Sequence, residues 1–264
     1  MTASKRRWLE RLAPWIVTIG LLVIWQVVVV AFRIEPFIMP SPSAIFDAFV
    51  QYRDSILIHA WQTMVSTLLG FSLGIVVGLL LGIFIGSSRL VYAGLYPVLI
   101  GFNSVPKVAM VPVLVLWLGI GQPTAVVTAF LLCFFPIAVN VATGLATVEP
   151  ELEDVLRSLG ASKTDLLIKV GLPRAMPYFF ASLKVAITLA FVGAVISETL
   201  ASNDGIGYLM IQASSQFRVP LMFAGLAVIA AMGVVTYVVF AVIERRVTGW
   251  AVRGQNMSIS GGGG

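Results

Sequence analysis

Residues 61–86 read WQTMVSTLLGFSLGIVVGLLLGIFIG and contain no charged side chain. A transmembrane helix needs about 20 predominantly apolar residues, so this segment predicts a membrane span. Its glycines recur at every fourth position, on one ridge of a helix that permits close helix–helix contact: Gly70, Gly74, Gly78, Gly82 and Gly86. Such a ridge could serve packing inside the chain or a seam between two copies, and the sequence favours neither.

Five further stretches of similar character lie on either side of this one, and together they predict about six transmembrane helices. The six windows are 14–32, 61–86, 92–118, 124–148, 175–197 and 221–243. Ser104-Val105-Pro106-Lys107 interrupts the third window and Pro112 follows, so we expect a break there, because proline removes a helix donor. No small-x-small cleavage site follows window 14–32, which we interpret as an uncleaved first span.

The composition of the whole chain supports a membrane protein. Of its 264 residues, 59% are hydrophobic and only 11% are charged, whereas a soluble domain is typically about a quarter charged. The predicted fold class is therefore an all-α integral membrane protein. We divide it into a cytoplasmic N-terminal segment 1–13, a transmembrane domain 14–252 with its core at about 60–245, and a cytoplasmic tail 253–264. The Gly-Ser end of that tail is typical of a disordered or artificial linker.

The distribution of positive charge predicts the orientation. With the N-terminus in the cytoplasm, twelve of the 17 Lys and Arg residues fall on the cytoplasmic side. Only Arg33, Arg53 and Arg218 fall outside, and Lys107 and Lys184 lie within spans. Lys and Arg concentrate in cytoplasmic loops, so both termini are predicted to be cytoplasmic. The longest cytoplasmic loop is then 149–174, between spans four and five.

Few residues in this sequence could carry enzymatic chemistry. It has one histidine, His59, one cysteine, Cys133, and sparse carboxylates. An acid–base pair, a nucleophile with its base, or a metal-ligand cluster needs more than this. We expect no catalytic residue, no metal site and no cofactor on this chain. A membrane-embedded enzyme is the least favoured class, and a secondary transporter or channel remains an alternative.

Loop 149–174 has the pattern of two short helices joined at a glycine corner. Pro150 suits a first helical position, and Leu152, Val155, Leu156 and Leu159 share one apolar face by their i, i+3, i+4 and i+7 spacing. Gly160 is a natural helix stop. Ser162-Lys163-Thr164-Asp165 predicts a capping box that opens a second helix, 165–170, which Gly171-Leu172-Pro173 would end. Such a pair could lie on its own membrane domain or dock to a partner.

The spacing within this loop resembles the EAA motif of binding-protein-dependent ABC importer permeases, E-A-A-x-x-x-G, nine residues, then I-x-L-P. Here Asp154-Val155-Leu156 is followed by Arg157-Ser158-Leu159-Gly160, nine residues, and Val170-Gly171-Leu172-Pro173. The departure is Asp-Val-Leu in place of Glu-Ala-Ala. Further stretches are similar to the nitrate, taurine, aliphatic-sulfonate and thiamine-precursor branch of that family: 104–107, 116–121, 197–198 and 204–209. The resemblance covers residues 14–252.

The resemblance implies a type I importer permease whose loop is a coupling helix seated in a separate ATPase subunit. It implies two ATPase subunits that bind ATP and Mg, a second permease copy, expected to be identical, and a periplasmic or lipid-anchored solute-binding protein. The location would be the bacterial inner membrane. The residues expected to couple are Glu151, Asp154, Val155, Leu156, Arg157, Gly160, Ala161 and Ser162.

Polar residues within the spans are the candidates for a solute pathway, because charges inside hydrocarbon are costly and usually functional. The candidates are Asn103, Ser104, Lys107, Asn140, Lys184 and Glu198. Each has an alternative: Lys184 could snorkel to the cytoplasmic face, Glu198 could bind a local partner, and the amides and hydroxyl could bond neighbouring helices. Lys107 and Lys184 favour a small anion such as nitrate or a sulfonate as the solute. Thiamine-precursor pyrimidines and aromatic acids stay open.

Overall fold

The computed structural model describes residues 3–147 and 149–247, and its regular structure over these ranges is entirely helical. The predicted tail 253–264 lies outside the described residues, as do residues 1–2 of the predicted segment 1–13. The helices are α1 (Ala3–Ala31), α2 (Pro42–Gln51), α3 (Arg53–Gly86), α4 (Arg89–Asn103), a 3₁₀ turn (Lys107–Met110), α5 (Val111–Leu118), α6 (Gln122–Ala146), α7 (Pro150–Ser158), α8 (Lys163–Leu166), a π-helical turn (Leu167–Gly171), α9 (Leu172–Ala201), α10 (Ile206–Ser215) and α11 (Val219–Val247).

Five of these helical segments are long and apolar enough to cross a membrane, and there are six spans if the bent α4–α5 pair counts as one. This confirms the predicted all-α architecture of about six spans. The observed helices exceed the apolar windows at several ends. In particular, α3 begins at Arg53 and the helix containing α9 begins at Lys163. The extension of α3 includes Ile56, which is fully buried in the core.

The break in the third span lies where the sequence predicts it. Helix α4 ends at Asn103 and the chain resumes at Lys107 in a 3₁₀ turn that leads into α5, at a bend of 74°. Pro106 precedes the turn and Pro112 sits in the first turn of α5. Proline fits the start of a helix because the donor it lacks would be unsatisfied there anyway.

The glycine ridge of α3 packs inside the chain, against α6. A Cβ atom on Gly70 would lie 2.5 Å from the carbonyl oxygen of Val126, and one on Gly82 would lie 2.6 Å from the Cβ of Val141. Cys133 and Ile137, on the same side of α6, are fully buried. The structure therefore decides between the two uses of the ridge: its glycines form an intrachain helix–helix contact.

The prediction that Gly171-Leu172-Pro173 ends a separate helix 165–170 is wrong. Helix α8 passes through the π-helical turn Leu167–Gly171 directly into α9, so residues Lys163–Ala201 form one continuous helix of 39 residues. Proline inside a helix lacks an N–H donor and clashes with the preceding turn. The wider π turn just before Pro173 relieves that clash, and the chain stays helical.

Candidate coupling and translocation sites

Helix α7 ends in a well-formed glycine stop, as the sequence predicts. Gly160 has φ +86°, a conformation that glycine adopts without a Cβ penalty. Its N–H donates to the carbonyl of Arg157 at 2.9 Å, and the N–H of Ala161 donates to the carbonyl of Leu156 at 3.0 Å. These two bonds form the Schellman arrangement that satisfies the last carbonyls of a helix. The corner between α7 and α8 is therefore a defined turn.

The apolar face predicted on α7 divides into two parts in the folded chain. Leu152 and Leu156 are half-buried against the protein, whereas Val155 is 56% and Leu159 is 78% exposed. Two adjacent exposed aliphatic side chains on a polar helix leave a small apolar surface without a partner in the described chain. Leu159 was not among the candidate coupling residues, although its i, i+4 spacing from Val155 places it on the same face.

The start of α8 confirms the predicted capping box. The backbone N–H of Asp165 donates to the Ser162 hydroxyl oxygen at 3.1 Å, and the N–H of Ser162 donates to the Asp165 carboxylate at 3.2 Å. Asp165 also forms an ion pair with Lys169 at 2.7 Å. Reciprocal capping satisfies two unpaired N–H donors at the start of the helix. The turn between α7 and α8 is therefore held by the glycine stop on one side and by the capping box on the other.

The remaining candidate coupling residues lie around this corner. Glu151, Asp154, Arg157 and Ser162 are exposed, and Ala161 is half-buried. Asp154, Leu156 and Arg157 line a cavity between α7 and the neighbouring helix ends. The eight candidates therefore stay together around the α7–α8 corner, but they do not share one face of α7.

Two of the candidate pathway residues meet at the bend of the third span. The Lys107 ammonium donates to both the backbone oxygen and the side-chain oxygen of Asn103, each at 2.6 Å. It also lies 6.0 Å from the ring centroid of Phe135 on α6. Asn103 is the last residue of α4, and the break leaves its carbonyl without a helical N–H donor. The Lys107 ammonium donates to that carbonyl instead, which leaves a half-exposed positive charge at the bend.

The polar neighbours of this bend bond within their own helices. The Ser104 hydroxyl donates to the carbonyl of Ile100 at 3.3 Å, and the Asn140 amide donates to the carbonyl of Pro136 at 2.8 Å. Both are the i−4 side-chain bonds that polar residues make to helical backbone. The alternative stated for these two residues was a bond to a neighbouring helix, and the bonds that the structure shows lie within their own helices instead.

Lys184 binds a partner that the sequence did not reveal. Its ammonium lies 2.6 Å from the carboxylate of Glu244 on α11, and both side chains are about a quarter exposed. Lys184 and Glu244 are far apart in sequence, so no local pattern could identify the pair. The charge of Lys184 is thereby balanced by an interhelical ion pair rather than presented alone.

Glu198 is 2% exposed and holds a buried network at the other end of α9. Its carboxylate accepts from the Thr63 hydroxyl at 2.8 Å and from the Gly207 N–H at 3.1 Å. Thr63 in turn accepts from the N–H of Ile206 at 2.8 Å. The network ties α3, α9 and the start of α10 together, which agrees with the local-partner alternative for Glu198. Lys184 and Glu198 are separated by about 21 Å of helix, so the six candidates do not form one cluster.

Comparison with known proteins agrees with this architecture. Residues 74–249 match the family model described as binding-protein-dependent transport system inner membrane component. The riboflavin transport system permease protein RibX of Chloroflexus aurantiacus is 35% identical, with 87% of each chain covered. The taurine transport system permease protein TauC of Escherichia coli is 27% identical, with 87% of this chain and 86% of the relative covered.

A solved inward-facing structure of the MetNI methionine ABC transporter shares the fold. The TM-score is 0.66 at 21% identity, and the match covers 75% of this chain and 98% of that one. The region that matches the family model contains the bend of the third span, the α7–α8 corner and Glu198 with its partner Gly207. The chain therefore belongs to the family of binding-protein-dependent transport system inner membrane components: it is an ABC transporter permease, a multi-pass inner membrane protein that acts as a transport subunit and not as an enzyme by itself.

Proposed function

We propose that this chain is the translocating subunit of an ATP-driven importer that moves a small solute from the periplasm to the cytoplasm. Its partners would be two ATPase subunits, which bind the ATP and Mg, a second copy of this chain and an external solute-binding protein. The observation that carries this proposal is the α7–α8 corner. It combines an exposed apolar pair, a rigid turn and direct helical continuity with the fifth span.

The mechanical argument follows from that continuity. Val155 and Leu159 would insert into a cleft of the ATPase subunit, with Glu151, Asp154 and Arg157 contacting its rim. Gly160, Ala161 and Ser162 would hold the corner at a fixed angle. Because α8 continues without interruption into α9, a displacement of α7 would move the fifth span as a rigid body. Closure of two ATPase subunits would then switch the two permease copies between inward- and outward-open states.

We place the solute pathway at the bend of the third span. Non-helical backbone at membrane depth is tolerated where it lines a cavity or is buried in protein, and Lys107 supplies a positive charge there. Asn103, Ser104 and Asn140 would line the same route with polar groups. We leave Lys184 and Glu198 out of the pathway, because Glu244 neutralises the first and the Thr63–Gly207 network holds the second.

The proposed solute is a small anion such as nitrate or a sulfonate. A single half-exposed ammonium favours an anion, and the related TauC carries the name of a taurine system. The test is uptake of radiolabelled nitrate and taurine into proteoliposomes that contain the full complex. Lys107→Met should abolish uptake and Lys107→Arg should retain it. Equal uptake by wild type and Lys107→Met would remove Lys107 from the pathway.

The proposed ATPase partnership is tested by copurification from the native membrane. We expect an ATPase subunit in equal number to this chain, with vanadate-sensitive ATP hydrolysis stimulated by the loaded binding protein. A chain that purifies without an ATPase and transports its solute down an ion gradient would instead be a secondary transporter. That result would contradict the proposal.

A further inference from the structure

Beside the α7–α8 corner lies a cavity of about 760 Å³ whose walls come from several helix ends. They include the end of α3 with the Ser87–Ser88 connection, the start of α4, the end of α6 and the inner face of α7 and α8. In the predicted orientation all of these ends lie at the cytoplasmic face. Gly86 and Ala146, which end α3 and α6, line the cavity, so in that orientation it would open near the lipid headgroups of the inner leaflet.

The lining of the cavity is amphipathic. Its cationic side chains are Arg89, Arg157 and Lys163, against the single carboxylate of Asp154. Leu145, Leu167 and Val170 give it an apolar floor. Among the described residues, the charged ends of Arg89 and Lys163 have no ion-pair or hydrogen-bond partner.

We propose that this cavity binds an anionic phospholipid of the inner leaflet, with its phosphate between Arg89 and Lys163 and its upper acyl carbons against the leucine floor. Basic pockets between transmembrane helices on the cytoplasmic side bind acidic headgroups in this manner. A soluble anion would satisfy the cations but leave the apolar floor in water, whereas a lipid covers both. The proposal rests on the predicted N-in orientation but not on the transport activity.

Val155 and Leu159 do not line the cavity, so a bound lipid would leave this pair free for the ATPase subunit. Asp154 and Arg157 do line it and would lie between the lipid headgroup and the rim of the ATPase cleft. The lipid would brace the inner face of the coupling corner while the partner contacts its outer face. Anionic lipid in the bilayer would then stiffen the link between the ATPase and the fifth span.

The direct test measures lipid binding to the full-length chain purified in detergent. Native mass spectrometry would follow titration with phosphatidylglycerol or phosphatidylcholine of the same acyl chains. We expect a marked preference for phosphatidylglycerol. Because a basic residue near an anionic headgroup is worth about a fivefold change in binding, the double variant Arg89→Gln/Lys163→Gln should bind it about 25-fold more weakly.

Two matched variants distinguish the site from general surface charge. Arg245→Gln/Arg246→Gln removes two exposed charges of α11 outside the cavity and should bind like wild type. Arg89→Lys/Lys163→Arg keeps both charges and should also retain the preference for phosphatidylglycerol. An unchanged gel-filtration profile shows that each variant is folded. Equal binding of the two lipids, or equal loss in both Gln pairs, would overturn the proposal. So would displacement of the lipid by millimolar inorganic phosphate or by the copurified ATPase.

Discussion

Gly160 occupies its position for conformational reasons alone. A Cβ atom there would meet no heavy atom within 4 Å, so the space around it is open. What excludes other residues is its φ of +86°, which costs an L-residue roughly 1–2 kcal/mol. The α7–α8 corner, proposed to couple to an ATPase, thus depends on a backbone angle, and substitutions can be ranked by how well each residue adopts that angle.

We predict that substrate-stimulated ATP hydrolysis in proteoliposomes is highest for wild type and falls in the order Gly160→Asn, Gly160→Ala and Gly160→Pro. Asparagine tolerates left-handed conformations better than alanine, while proline fixes φ near about −65° and removes the donor to Arg157. Gly94→Ala is the matched control, since that glycine also has open space but an ordinary helical φ. Full activity of Gly160→Pro would show that the corner is not a mechanical element.

The Lys184–Glu244 pair is the second feature that belongs to single residues. We predict that Lys184→Met lowers the free energy of unfolding by about 1–2 kcal/mol, because it leaves Glu244 without this partner in a partly buried site. The double variant Lys184→Met/Glu244→Met should recover most of that loss and should retain solute uptake. Thermal unfolding and uptake by both variants provide the measurement. A double variant that is stable but fails to transport would return Lys184 to the pathway.

At the scale of helices, the α3–α6 contact is a close helix–helix approach inside the core. The ridge glycines let two backbones approach where any side chain would collide with a carbonyl or a buried Cβ. In a membrane, helix association relies on such packing rather than on the hydrophobic effect. The same small residues that look permissive in the sequence are therefore among the least replaceable.

We predict that Gly70→Ala destabilises the chain by about 1–3 kcal/mol, because the new Cβ would lie 2.5 Å from the backbone oxygen of Val126. Gly20→Ala in α1 is the control, since nothing lies within 4 Å of that position. It should be neutral or stabilising by up to about 1 kcal/mol, from helix propensity. Thermal unfolding in detergent compares the two, and equal melting temperatures would contradict the assigned packing.

At the scale of the whole molecule, the described surfaces of α1 and α11 are the most available to lipid or to a second copy. Only 6% of the apolar window of each helix is buried inside the chain, against 50% for α6. The α7–α8 corner is the surface that we propose contacts an ATPase. An assembly of two permeases and two ATPases would use these separate regions.

We predict that Leu159→Ala weakens binding of the ATPase subunit by about tenfold or more, because an apolar side chain of this size contributes roughly 1.5–3 kcal/mol when it is buried. Ile16→Ala, at a similarly exposed position in α1, should leave that affinity unchanged. The affinities are measured by immobilising wild type and each variant in nanodiscs on a surface and titrating them with purified ATPase. Equal affinities for all three proteins would place the docking surface elsewhere.

Much of this molecule was predictable because its signals are local. The apolar windows, the break after Asn103, the stop at Gly160 and the capping box at Ser162 each depend on a few neighbouring residues. Three features depend on residues more than 50 positions apart, for which the sequence holds no local mark: the packing of the glycine ridge, the Lys184–Glu244 pair and the Glu198–Thr63 bond. The π turn before Pro173 was missed because a proline signal was interpreted without the neighbouring turn that accommodates it.

The unbroken helix Lys163–Ala201 also limits which changes in chain length the family can accept. Its 39 residues extend about 58 Å, well beyond the about 30 Å of hydrocarbon. Inserting or deleting one residue anywhere along it would rotate the two ends relative to each other by about 100° and point the corner away from its partner. Length variation among related chains should therefore fall at the joints between helices, such as 104–106 and 119–121, and should leave this helix at constant length.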